Sequence, residues 1–253
     1  MSKNKNLTVK ETFNLAIKNH QEGKIDIAQE LYNQVLKINP NHSQALNNIA
    51  TIFINSKESQ KAKEYFEKAL EINPNYSDAH YNLGIIFKEL GENEKAIDCY
   101  QKLIEINPDY ADAHNNLGVI FKELGDYKKA KSCYEKAIQI DPSNENAYNN
   151  QGNTYTDLGE YQNAKAFYEK ATELNPSFVD AYRNLGNIFT ILGEYKKAIT
   201  CYEKVKSIDS NDKLTKVGYG SVLLLLNEHK KGLKSIAEGQ GLIKFTQSDF
   251  KII

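Results

Sequence analysis

Residues 77–108 read SDAHYNLGIIFKELGENEKAIDCYQKLIEINP, and this stretch decides the fold. Its apolar positions Ala79, Leu83, Ile86, Phe87 and Leu90 fall at helical spacing. Ser77 or Asp78 is placed to cap the start of that helix, and Gly91 to end it in the left-handed conformation. A second amphipathic helix is expected from about Glu94, burying Ala96, Ile97, Tyr100, Leu103 and Ile104. Asn107 precedes Pro108, a pairing that disfavours helix and makes a break before the next segment. Gly84 and Ala96 are small where two helices must come close, and Phe87 and Tyr100 fill the space beside them. One such hairpin cannot bury both its faces, so further copies must stack on it.

The copies are present on either side. All five prolines, Pro40, Pro74, Pro108, Pro142 and Pro176, are separated by 34 residues. The same step carries Gly84, Gly118, Gly152, Gly186 and Gly220, and also Gly91, Gly125, Gly159 and Gly193. It carries Ala28, Ala62, Ala96, Ala130, Ala164 and Ala198, and the aromatic row Tyr32, Phe66, Tyr100, Tyr134, Tyr168 and Tyr202. Coincident rows at one period define a tandem array. Its ends are atypical, as capping units should be. Ala16 and Asn19 replace glycine and aromatic in the first unit. In the last, Asn227 stands in the turn, Gly232 replaces the small alanine and Ile236 the aromatic, while Ser210 occupies the register of the closing proline before it.

The pattern Leu83-Gly84, Phe87, Ala96, Tyr100, Pro108 resembles the tetratricopeptide repeat (TPR), with His80 where a Trp or Tyr often sits. The resemblance covers residues 9 to about 208 as six full repeats and 213 to about 238 as a degenerate seventh. It implies an all-α, right-handed solenoid of about seven helical hairpins, with repeats starting near 9, 43, 77, 111, 145, 179 and 213. Residues 1–8 are then a flexible N-terminus, 9–238 the array, and 239–253 an apolar C-terminal tail. In this family the first helix of each repeat forms most of the concave face, where ligands bind.

One position on that face reads Asn14, Asn48, Asn82, Asn116, Asn150 and Asn184. Its neighbour reads Phe13, Asn47, Tyr81, Asn115, Asn149 and Arg183, and the position one turn on reads Ile17, Thr51, Ile85, Val119, Asn153 and Asn187. An asparagine amide carries both donor and acceptor, so a row of them can match the backbone of an extended peptide whatever its side chains. A similar asparagine ladder holds substrate peptides in the TPR superhelix of O-linked N-acetylglucosamine transferases, whose repeats the NNLGVIF and RNLGNIF segments resemble. The candidate peptide-binding residues are Asn48, Asn82, Asn116, Asn150, Asn184, Tyr81, Asn115, Asn149, Asn153, Asn187 and Arg183. The same row would also arise from copying one ancestral repeat, its amides bonded to neighbouring backbone or water. The two-carboxylate clamp known in the family is incomplete, because Arg183 and Asn187 are followed by Gly218 where asparagine is required.

Composition closes off other classes. A net charge of −1 leaves no basic field for nucleic acid or anionic lipid, and the longest aliphatic run, Val222 to Leu226, is too short to span a bilayer. Three cysteines and no apolar leader at the start point to a cytoplasmic location. Cys99, Cys133 and Cys201 share one repeat position with Phe167, which marks packing rather than catalysis. His80 and His114 share theirs with Tyr148 and Tyr182, and nothing supplies four metal ligands. No phosphate-cradling loop of the GxxxxGKS type appears, so no cofactor is expected. The chain therefore reads as a non-catalytic interaction scaffold that binds an extended peptide or partner segment. The alternative is a subunit that recruits substrates to a separately encoded glycosyltransferase. Leu242, Ile243, Phe245, Phe250, Ile252 and Ile253 lie outside any repeat, and they suit either a cap on the last hairpin or a homodimer contact.

Overall fold

The computed structural model describes residues 7–240. Those residues form fourteen α-helices and no strand, and the chain divides into two compact units, Met1–Ile120 and Phe121–Ile253. The first unit contains the hairpins α1 (Val9–Gln21) with α2 (Ile25–Ile38), α3 (Ser43–Asn55) with α4 (Ser59–Ile72), and α5 (Ser77–Glu89) with α6 (Asn93–Ile106). The boundary falls within α7 (Ala111–Glu123). The second unit continues through α8 (Tyr127–Ile140), α9 (Glu145–Asp157) with α10 (Tyr161–Leu174), α11 (Val179–Ile191) with α12 (Tyr195–Ile208), and α13 (Lys213–Leu225) with α14 (His229–Gln240). In each unit a hairpin's second helix also packs against the first helix of the next, as stacked repeats require.

Local chemistry sets the ends of these helices. Thr8 and Glu11 form a reciprocal capping box on α1: the Thr8 hydroxyl accepts from the Glu11 N–H, and the Glu11 carboxylate accepts from the Thr8 N–H at 2.8 Å. At α5 the expected cap by Ser77 or Asp78 is not made. Tyr76 is the N-cap residue without a side-chain cap bond, and Asp78 lies in the first turn, where the helix dipole favours a carboxylate. Gly91 ends that helix at φ +74°, as expected, and Leu90 beside it is 51% exposed rather than buried because it is already the C-cap residue. Two hairpins make the same turn without glycine, with Lys57 at φ +60° and Asn227 at φ +63°.

The aromatic row is the core. Tyr32, Phe66, Tyr100, Tyr134, Tyr168 and Tyr202 are at most 2% exposed. A Cβ on Gly84, Gly152 or Gly186 would stand 2.7 Å from the ring of Tyr100, Tyr168 or Tyr202, so glycine there lets the ring lie against the backbone of the first helix. The last hairpin solves the problem differently. A Cβ on Gly220 would meet the Gly232 carbonyl oxygen at 2.6 Å, so α13 and α14 approach until no aromatic is needed between them. Along α13, Val222 and Leu223 are buried while Leu225 and Leu226 are exposed. The expectations for the apolar tail fall on residues 241–253, outside the described residues, and α14 carries the last hairpin to Gln240.

Candidate peptide-binding face

In the first unit, two of the ladder asparagines are held by core tyrosines. The Asn48 amide donates to the Tyr32 hydroxyl at 3.1 Å, and Asn116 donates to Tyr100 at 3.3 Å, across the same 16-residue interval. Each is braced by its neighbour: Asn47 donates to the Asn48 carbonyl oxygen at 3.3 Å and Asn115 to that of Asn116 at 3.4 Å. Sixteen residues before Asn82 the core aromatic is Phe66, which has no hydroxyl, and the Asn82 amide turns back to the Asp78 carbonyl at 2.9 Å. Asn14 is exposed. Burial pushes the Tyr32 and Tyr100 phenols above their ordinary pKa, with the asparagine hydrogen bond opposing it, so both hydroxyls stay protonated.

The second unit reverses the polarity of the contact. Asn153 and Asn187 stand where earlier repeats have Ile17, Thr51, Ile85 and Val119, and their carbonyl oxygens accept from Tyr168 and Tyr202, each at 2.7 Å. Thr156 and Thr190 complete these sites at 3.0 and 3.4 Å from the two hydroxyls. The Asn184 amide donates to Asn149 at 3.1 Å and to Asn153 at 3.0 Å. This network orients the amides by engaging the Asn184 N–H group and the Asn153 and Asn187 carbonyl oxygens. Together with Lys122, Thr156, Asp157 and Tyr168, these three asparagines line a cleft of about 160 Å³, in which Lys122 and Asp157 pair at 2.8 Å.

The remaining candidates sit as follows. Asn150 is half-buried in α9, and Asn149 is buried as a partner of Asn184. Tyr81 packs against Tyr110, with ring centroids 5.2 Å apart, and edge-on to Tyr100 at 6.2 Å. Arg183 is committed within the chain, 2.8 Å from Asp180 and 3.1 Å from Asp212. Burial acts against its charge, but hydrogen bonds and charge from Asp212 and Asp180 hold its pKa above the ordinary value. The hydroxyls of the aromatic row and the threonines at 156 and 190 were not among the candidates. Their signal was the choice of Tyr over Phe in five of six repeats, which ring packing alone does not require.

The groups weighed for chemistry fall into packing roles. Burial raises the thiols of Cys99 and Cys201 to about 12 and that of Cys133 to about 11, far from a thiolate at neutral pH. The His80 and His114 rings meet the carbonyls of Pro74 and Pro108 at 2.8 and 3.0 Å, closing the turn between repeats. Among the described residues no group of three or more His, Cys, Asp or Glu is placed to hold a metal, and no helix is long and apolar enough to cross a membrane.

Profiles of the tetratricopeptide repeat match residues 43–76, 111–144, 145–178 and 179–212, more than half of the chain, and related profiles match 12–42, 65–98 and 84–125. The chain belongs to the tetratricopeptide repeat family, whose members are generally non-catalytic scaffolds for protein–protein interaction. A comparison with curated proteins returned no match. Among solved structures, MamA is similar at 30% identity and TM-score 0.59, over 64% of this chain and 94% of that one. A tetratricopeptide repeat protein from Parabacteroides merdae shares the fold at 18% identity and TM-score 0.72, over 94% of both chains. YrrB, described as a TPR protein with an unusual peptide-binding site, shares it at 21% identity and TM-score 0.58, over 73% of this chain and 95% of that one.

Proposed function

We propose that this chain is a scaffold that binds an extended peptide, or an extended segment of a partner protein, along its asparagine row. Each unit carries its own stretch of the row, Asn48, Asn82 and Asn116 in the first and Asn150 and Asn184 in the second. The observation that carries the reading is that Asn153, Asn184 and Asn187 line one cleft with their amides fixed by internal bonds. Those bonds use the Asn184 N–H group and the Asn153 and Asn187 carbonyl oxygens, and the complementary acceptor and donors match a peptide backbone. Internal bonds keep the amides oriented before a ligand arrives, which lowers the ordering cost of binding. That YrrB has a peptide-binding site on the same fold supports the reading as analogy.

The test is a pull-down from native extract with the wild-type chain and with a variant carrying Asn82→Ala, Asn116→Ala, Asn150→Ala and Asn184→Ala. Circular dichroism checks that both are equally helical. A specific protein retained by the wild type and lost by the variant supports the reading. Capture of a glycosyltransferase would assign the chain as its recruiting subunit. A partner retained equally by both would place binding elsewhere and leave the row as repeat ancestry.

A further inference from the structure

We propose that the surface formed by Tyr81 and Tyr110 with Asp78 and Asp112, in the first unit, takes a basic side chain of the bound segment, a guanidinium above all. The inference rests on the asparagine-row reading and adds a side-chain preference to it.

The chain supplies its own precedent three repeats later. Arg183 occupies the register of Tyr81, Asp180 that of Asp78, and Asp212 that of Tyr110. There the three positions hold a guanidinium: Arg183 lies 2.8 Å from Asp180 and bonds Asp212 with two nitrogens at 3.2 and 3.1 Å. In the first unit the carboxylate is kept as Asp78, but the residue that would bring the cation is Tyr81. Asp78 forms no ion pair among the described residues, and it is exposed in the first turn of α5. The guanidinium that this register accommodates must then come from another chain.

The aromatic residues suit the same occupant. Tyr81 and Tyr110 are half-buried, packed at 5.2 Å and inclined by 36°, so part of each ring borders solvent close to the carboxylates. Aromatic faces attract cations, and arginine best combines stacking on a ring with bonding to a carboxylate. Burial raises the phenols of Tyr81 and Tyr110, and carboxylate charge adds to this, from Asp112 at both rings and from Asp78 at Tyr110.

The test uses the full chain and two N-acetylated, C-amidated Ser/Gly heptapeptides, one with a central arginine and one with citrulline, its neutral isostere. NMR titration is expected to show saturable shifts of the Tyr81 and Tyr110 ring signals with the arginine peptide and none with the citrulline peptide. The exposed Asp78→Asn, Asp112→Asn double variant, verified as equally helical, should weaken the arginine peptide several-fold. Equal binding of both peptides, shifts centred elsewhere, no saturable shift, or undiminished binding by the double variant overturns the proposal. The pull-down separates this proposal from the one beneath it. A partner released by the ladder alanines but held by the double variant defeats the basic-residue preference alone. A partner held by the ladder alanines defeats the asparagine-row reading.

Discussion

The side-chain amide of Asn116 lies 3.3 Å from the hydroxyl of Tyr100, sixteen residues earlier, and Asn48 stands in the same relation to Tyr32 at 3.1 Å. The repeat that lacks the hydroxyl is an internal control: with Phe66 sixteen residues earlier, the Asn82 amide folds back to its own helix at the Asp78 carbonyl. The core aromatic therefore has two roles, filling the hairpin with its ring and aiming the ladder amide with its oxygen.

Tyr100→Phe should release Asn116 to the Asp112 carbonyl, copying the Asn82 arrangement. A lost hydrogen bond of this kind costs about 0.5–1.5 kcal/mol, read as a lower urea midpoint at unchanged m-value. The Asn116 side-chain amide signals should move with it. Unchanged signals would contradict the role given to the hydroxyl.

Gln151 occupies the register of Leu83, Leu117 and Leu185, is 1% exposed, and leaves its carbonyl oxygen without a partner. An orphaned buried acceptor destabilises, so Gln151→Leu should raise stability by about 1–2 kcal/mol in urea unfolding. A loss of stability would show that the amide is satisfied in solution.

Lys57 and Asn227 hold positive φ where other hairpins use glycine. Glycine carries no Cβ penalty there, so Lys57→Gly should stabilise by up to about 1 kcal/mol, and Asn227→Gly by less, because asparagine tolerates this region. Thermal unfolding of the two single variants checks the order, and a destabilised Lys57→Gly would contradict it.

Alkaline pH should unfold the protein early. The thiols of Cys99, Cys133 and Cys201 titrate at about 12, 11 and 12 in the folded chain, against an ordinary value of 9.0. The folded state thus keeps protons that the unfolded state releases first. Their contribution is complete below pH 9 and declines as pH rises through 11 to 12. Urea midpoints measured between about pH 8 and about pH 10.5 should fall, and less steeply in a Cys99→Ala, Cys201→Ala variant; equal slopes would sink the assignment to the thiols.

The period of 34 residues made the architecture legible, because one hairpin's small and aromatic positions recur with the prolines that separate the hairpins. The asparagine row was legible by the same register. Its hydrogen bonds were not, since the link from Tyr100 to Asn116 crosses from one repeat's second helix to the next repeat's first, and only packing shows that they meet. Arg183 reads as a binding cation until Asp212, 29 residues on, is seen to hold it. Leu90 reads as core by spacing, but the helix ends there and turns it outward.

The central claim is that the ladder amides themselves bind the partner. The most direct measurement is the partner's Kd, by calorimetry, for the wild type and for the single variants Asn116→Ala, Asn150→Ala and Asn184→Ala. Each is predicted to weaken binding by about two- to tenfold at equal helicity, the worth of one hydrogen bond. Affinities unchanged across all three variants would contradict the claim.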